Sequence, residues 1–268
     1  SRIIDCKRMI LVTGANGFLG QYIVQELIQH QLPVRAYIRN PKPFQAKFPS
    51  VSVAQGDVLE VGSLLEAMEG VDYVIHAAAT VSFWQKRHAE MLHINEIGTQ
   101  NVVNVCLESK VKRLLHVSSS SAFGRPEGGS DINEQTKWRD SPINSRYGKS
   151  KYLAEKQVFR GIEEGLNAIF VNPVIILGTG DWQASSLRIF STLYAGLKFY
   201  PPGMNGYVAA TDVAQVVRRL LLDEQIKNGE KFLLCAENWH YKDLFELIAR
   251  ELKVPAPSIA IRPWMQAL

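Results

Sequence analysis

The stretch "MILVTGANGFLG", Met9–Gly20, begins as a short apolar run, breaks at spaced glycines and restarts as a helix. Met9–Val12 has the look of a buried strand, while Leu19, Ile23, Val24, Leu27 and Ile28 recur at helical spacing. Gly14, Gly17 and Gly20 lie between and within these two elements. A strand that turns sharply into a helix presents unpaired amide N–H groups and the positive end of the helix dipole at the turn. Gly14 and Gly17 permit the tight turn and a close backbone approach, and Gly20 lets the helix pack on the strand. The spacing G-x-x-G-x-x-G therefore predicts a cradle for the pyrophosphate of a dinucleotide, with Asn16, Phe18 and Leu19 among its binding positions.

The alternation continues outward from this turn. Val34–Ile38 reads as a second strand, "VSVAQGD" as a third ending at Asp57, "VDYVIHAAA" as a fourth, "VKRLLHVSS" as a fifth and "NAIFVNP" as a sixth. Helical patterns fill about 88–109 and 147–164, and Ser63 with Glu66 predicts a capping box for the helix after strand three. Nearly all-apolar strands alternating with helices predict an α/β fold with a doubly wound parallel sheet covered on both faces. After Pro173 the rhythm breaks. Residues 178–207 are rich in glycine, proline and aromatic residues; then come a helix near Asp212, a strand "EKFLLCA", a helix over 241–252 and a final strand and tail in "SIAIRPWMQAL". We expect a dinucleotide-binding domain over 1–173, with returns at about 208–235, and a smaller C-terminal substrate lobe from 174–207 and 236–268.

Composition narrows the class. The chain has 268 residues, 46% hydrophobic and 21% charged, with a net charge of +4 spread along its length. It has no basic run of the kind that binds nucleic acid or a membrane surface, and no apolar run near the ~20 residues of a membrane span. The segment before Gly14 does not read as a secretory signal. Cys6, Cys106 and Cys235 are far apart, odd in number and without metal-ligand spacing, so we expect three small buried hydrophobes, no metal site and a reducing, cytoplasmic setting.

Which dinucleotide binds depends on the end of strand two. "AYIRNPK" offers Arg39 and Lys42 and no acid, which suits the 2′-phosphate of NADP better than the free ribose hydroxyls of NAD. Asp57 is placed to accept a hydrogen bond from the adenine amino group. Tyr147 and Lys151 are four apart on a helix and share a face, so the ammonium is expected to lower the tyrosine pKa and fit it for proton transfer. "HAAA" ends strand four with small side chains at Ala77, Ala78 and Ala79, which lets a cofactor lie close. "HVSSSSAFG" ends strand five in hydroxyls, at the edge of a parallel sheet where ligands bind.

Together "TGANGFLG", "GDV", "HAAA", Asn95 in "NEIGTQNV", "SSSSAFG", "YGKSK", "NPVIILG" and "YVAATDVA" resemble the extended short-chain dehydrogenase/reductase family, which includes the NAD(P)-dependent sugar epimerases and dehydratases. Within it, "VRAYIRNPK" and "GLKFYPPGMNGYV" are most similar to the dihydroflavonol-reductase and cinnamoyl-CoA-reductase branch, which uses NADPH to reduce carbonyls. The resemblance implies a Rossmann domain, Tyr147 as acid/base, Lys151 on the nicotinamide ribose, Ser119 (with Ser120 as fallback) polarising the substrate oxygen, and Asn95 as a structural or relay residue. It also implies Val58 beside the cofactor, Pro173 and Val174 along the nicotinamide face, and a homodimer.

The substrate is expected to be a small carbonyl compound, aromatic or apolar. Phe83, Trp84, Trp182, Tyr200 and Tyr207 fall in segments that would roof a pocket or, equally, pack the smaller lobe. Two other readings remain open. One is a nucleotide-sugar epimerase or dehydratase with bound NAD, although "SSSSAFG" lacks the Thr-Asp-Glu that dehydratases place after strand five. The other is a non-enzymatic NADP-binding sensor, whose relatives often lose the tyrosine retained here.

Overall fold

The structure, a computed structural model, describes residues 8–82, 84–126, 131–183 and 185–261. The chain forms two compact units: one runs to Pro173 and takes up Thr211–Leu234, the other comprises Val174–Ala210 and the residues from Cys235 on.

The first unit is built on a seven-stranded sheet. Its strands are β1 (Ile10–Thr13), β2 (Val34–Ile38), β3 (Ser52–Gln55), β4 (Tyr73–His76), β5 (Arg113–Val117), β6 (Ala168–Pro173) and, late in the chain, β10 (Lys231–Leu234). They are parallel throughout, in the order β10-β6-β5-β4-β1-β2-β3. β1 pairs with β2 on one side and β4 on the other, so the strand order reverses at β1, and the crevice beyond its carboxyl end is the expected ligand site of such a sheet. The helices are α1 (Phe18–Gln29), α2 (Pro41–Lys47), α3 (Val61–Ala67), α4 (His88–Glu108), α5 (Arg146–Glu163) and α7 (Ala210–Leu222). Every residue of β1, β4, β5 and β6 is buried, which explains why these strands are mostly apolar. Leu11, Val74, Leu114 and Phe170 pack with Val102 and Val103 of α4 and Val158 of α5 in one core cluster. An ion pair between Arg218 of α7 and Glu26 of α1, at 2.7 Å, joins two further helices. Buried Arg113 of β5 donates to the carbonyls of Leu220, Asp223 and Ile226, closing the end of α7 with the cation that a helix C-terminus favours.

Two expectations about this unit are corrected. Ser63 is not the N-cap of α3; Glu60 is, without a side-chain cap. The Ser63 hydroxyl instead donates to the Glu60 carbonyl and meets the Tyr37 hydroxyl at 2.7 Å, because Tyr37 reaches over from β2. α2 begins two residues after Arg39, where the reading of the sequence left a loop. Pro41 at its first position pre-sets the helical φ and needs no N–H.

The second unit has a three-stranded sheet of β7 (Ile175–Leu177), β9 (Met204–Ala209) and β11 (Glu237–His240), and a two-stranded pairing of β8 (Phe199–Tyr200) with β12 (Ile259–Ala260). Helices α6 (Arg188–Tyr194) and α8 (Tyr241–Leu252) complete it. Its core is Leu193, Tyr207, Leu244, Phe245 and Ile248, with Tyr200 packed against them. Cys106 is buried in the first unit, as expected, but Cys235 is exposed, and Cys6 lies outside the described residues. Among the described residues no helix is long and apolar enough to cross a membrane.

Candidate active site

The site lies wholly in the first unit. Its base is the turn after β1. Gly14 has φ of +69°, and a Cβ there would stand 2.7 Å from the backbone of Ala78, so only glycine lets the turn lie against the end of β4. At Gly20 an added Cβ would stand 2.1 Å from the Gly14 carbonyl oxygen; the third glycine is what allows α1 to start so close to the strand. Gly17 is the N-cap of α1 and offers no side-chain cap, and the first turn carries no acid, so the leading amides of the helix are left for a ligand anion.

Beside this turn is a cavity of about 310 Å³. Of the positions predicted to bind the cofactor, it is lined by Gly14, Asn16, Gly17, Arg39, Asp57, Val58, Ala77, Ala78 and Ala79. Tyr37, Ile38, Gly56, Thr80 and Ile94, which the sequence reading did not single out, complete the lining. Tyr37 was legible in principle as the last but one residue of β2. Its hydroxyl donates to the Asp57 carbonyl at 2.8 Å, bracing the β2 and β3 ends together, and burial pushes its pKa up. Arg39 stands at the mouth, largely exposed, with its guanidinium 3.8 Å from the Asp57 carboxylate. Asp57 also accepts from the Leu59 amide at 3.0 Å. Phe18, Leu19 and Gly20 form the first turn of α1 behind Gly17, whereas Lys42 is exposed on α2 and does not line the cavity. Small-residue walls and an uncapped helix end fit a dinucleotide.

A buried polar chain runs from this cavity to α5. Thr13 Oγ1 accepts from the Ala78 amide and meets His76 Nδ1 at 2.8 Å; His76 Nε2 meets Thr99 Oγ1 at 3.0 Å; Thr99 donates to the Asn95 carbonyl. Since the Thr99 hydroxyl already donates, His76 carries its proton on Nε2. Asn95 holds the loop after β4 through both Thr80 backbone groups and donates to Ser150, which donates to the Tyr147 carbonyl. Asn95 is thus a clamp between the cavity wall and the first turn of α5. Burial, with Lys151 nearby, drives the His76 pKa down to about 3, so the ring is neutral at pH 7.

Ser145 caps α5 by accepting from the Gly148 amide at 2.9 Å, and this sets Tyr147 in the first turn. Ser119 is the hydroxyl that acts on the Tyr147 phenol, favouring its ionised form. Ser119 opens the short turn Ser120–Phe123 at the end of β5, where its hydroxyl accepts from the Ser121 amide. The expected effect of Lys151 on the tyrosine is corrected. Tyr147 as a whole residue is only partly buried, but its hydroxyl end is surrounded by protein, and burial pushes the phenol up to about 12 against the opposing influence of Ser119. Lys151, fully buried, donates to the Val117 carbonyl at 2.8 Å, and burial lowers its pKa to about 8 with Glu155 opposing. The phenol is therefore protonated at neutral pH, and the Lys151 ammonium is close to titrating.

Among the remaining predicted positions, Pro173 ends β6 and Val174 begins the second unit. Trp84 is exposed at 72%. In the second unit, Trp182 stacks on Phe190 with ring centroids 5.8 Å apart, and Tyr200 and Tyr207 belong to the local core. Phe83 lies outside the described residues.

The model of the NAD dependent epimerase/dehydratase family matches residues 10–235. The chain belongs to this family. Its members bind NAD(P), and the chain is accordingly an NAD(P)-dependent enzyme of oxidoreductase type. It is 31% identical over 259 residues to sterol demethylase protein B of Methylococcus capsulatus, covering 94% of this chain and 77% of that one. It is 32% identical over 263 residues to tetraketide alpha-pyrone reductase 2 of Arabidopsis thaliana, covering 89% and 81%. The fold matches the UDP-glucose 4-epimerase of Thermus thermophilus in complex with NAD, with a TM-score of 0.78 at 22% identity over 95% of this chain and 87% of that one.

Proposed function

We propose that this family member is an NADP-dependent reductase of a small carbonyl compound, aromatic or apolar, with Tyr147 as the proton donor. The observation that carries the reading is the phenol of Tyr147, kept protonated by burial, under the influence of Ser119 and on the same helix face as Lys151. When bound, a reduced nicotinamide supplies hydride to the carbonyl carbon. As the carbon–oxygen π bond opens, its electron pair moves onto the oxygen. Ser119 stabilises that charge with a hydrogen bond, and Tyr147 gives the oxygen its proton. A phenol held near pKa 12 in the ligand-free site is a weak acid. The cationic form of Lys151, four residues along the same helix, would favour the tyrosinate left after transfer. Its further N–H groups would hold the ribose hydroxyls while one stays on Val117. Arg39 at the cavity mouth supports the choice of NADP, through a forked contact with the 2′-phosphate.

The test is a screen of aldehydes and ketones with NADPH, read by loss of nicotinamide absorbance, repeated on Tyr147→Phe. Turnover should fall at least a thousandfold, on the order of what a positioned acid contributes, while NADPH binding stays near wild type. Full activity in Tyr147→Phe refutes the assignment.

A further inference from the structure

The turn that carries Ser119 is held by a charge buried on the far side of it. Glu155, one turn beyond Lys151 on α5, is 1% exposed. Its Oε1 accepts from the Ser118 hydroxyl at 2.5 Å and from Asn172 Nδ2 at 2.7 Å, and its Oε2 is paired with the ammonium of Lys231. The same Asn172 nitrogen donates to the Ser119 carbonyl at 3.0 Å. One carboxylate therefore ties together α5, the end of β5, the end of β6 and the edge strand β10. Lys231 reaches it through an aromatic enclosure, with its ammonium 4.9, 5.4 and 5.7 Å from the ring centroids of Phe123, Phe159 and Phe170. The other titratable groups of this region are Lys151 and Tyr147 on α5, His116 on β5 and His76 on β4. Both histidines are held neutral by burial.

We propose that Glu155 and Lys231 are positioning residues for the reaction: together they fix the Ser118–Ser119 turn against α5, so that the Ser119 hydroxyl meets Tyr147. The inference rests on the reading of Ser119 and Tyr147 as the catalytic pair. Two of the three groups bound to Glu155 are Ser118, next in sequence to Ser119, and Asn172, which holds the Ser119 carbonyl. A neutral side chain at 231 would leave the carboxylate buried with Lys151 as its nearest cation. Breaking a buried pair by removing one partner is far costlier than replacing both. The carboxylate would then turn toward Lys151 and release the serine turn.

The test is a cycle of Glu155→Gln, Lys231→Met and the double variant, with Lys231→Arg as the conservative control. Three readouts are followed: kcat and KM for NADPH-dependent reduction, backbone amide resonances of Ser118–Ser121, and melting temperature. Each single change should lower kcat by roughly a hundredfold, the cost of a misplaced group, with KM for NADPH little changed, and should shift the amide resonances. The double variant should recover at least tenfold of that loss and return the resonances, and Lys231→Arg should stay near wild type. Losses that multiply in the double variant, or melting temperatures that fall while kcat and the resonances stay put, overturn the proposal. If the singles fail to fold, the double variant and Lys231→Arg decide, since both are required to fold with near-native resonances. If the wild type reduces no carbonyl, the redox reading fails on its own, and the resonances still decide whether the pair holds the turn.

Discussion

At the scale of single residues, the site joins groups whose protonation is set by burial rather than by neighbours in sequence. Tyr147 and Lys151 share a helix face, yet the lysine spends a hydrogen bond on Val117 and burial raises the phenol. Spacing alone reveals that two groups are near each other, not how much water either retains. The dinucleotide preference also belongs to this scale. Arg39→Ala should weaken NADPH far more than NADH, by about tenfold or more for a charge-assisted contact. Titrations of both cofactors, followed by fluorescence, measure this, and equal weakening of the two would remove the 2′-phosphate argument. Gly14 and Gly20 were legible because only glycine tolerates the close approaches their backbones make. Glu155 and Lys231 were not: a glutamate on a helix and a lysine in a strand are ordinary surface residues until the packing turns them inward.

At the scale of elements, the strands of the seven-stranded sheet and the long helices were readable to within a few residues because buried parallel strands must be apolar and helices must repeat, whereas β7, β8, β9 and β11 of the second unit were not read. β4 ends at His76, short of the predicted "HAAA", since the three alanines turn away to line the cavity. The capping box at Ser63 failed because a partner from β2 claimed the hydroxyl, and α2 was missed because seven residues are too few to show a period. The cap that matters for chemistry is Ser145, two residues before Tyr147. Ser145→Ala should cost about 1 kcal/mol of stability and fray the first turn of α5, so kcat should fall more than the affinity for NADP. Denaturant midpoints and steady-state rates on the same preparation check both halves. Unchanged kcat would mean that Asn95 and Ser150 hold the turn without the cap.

At the scale of the first unit as a whole, two histidines are buried side by side in the sheet, His76 and His116, with ring centroids 5.2 Å apart. Among the described residues, both ring nitrogens of His116 lack a hydrogen-bond partner. Their folded pKa values lie below that of a free histidine, so below pH 6.5, and for His76 down to about pH 3, the unfolded chain binds protons that the folded chain refuses. Stability is full above pH 6.5 and should fall as pH drops, by about 1.4 kcal/mol per pH unit for each histidine. His116→Leu should flatten that acid limb by about half, read as melting temperature against pH; an unchanged slope would mean that other groups drive acid unfolding.

The sequence by itself determined the parallel sheet, the glycine turn at its centre and the helix that carries Tyr147 and Lys151, because these depend on local periodicity and on what a backbone can adopt. Only the tertiary structure decided which carboxylate is buried behind the tyrosine and which groups lose their water. Those outcomes depend on residues far apart in the chain arriving at the same place, and desolvation is a property of that place rather than of any residue.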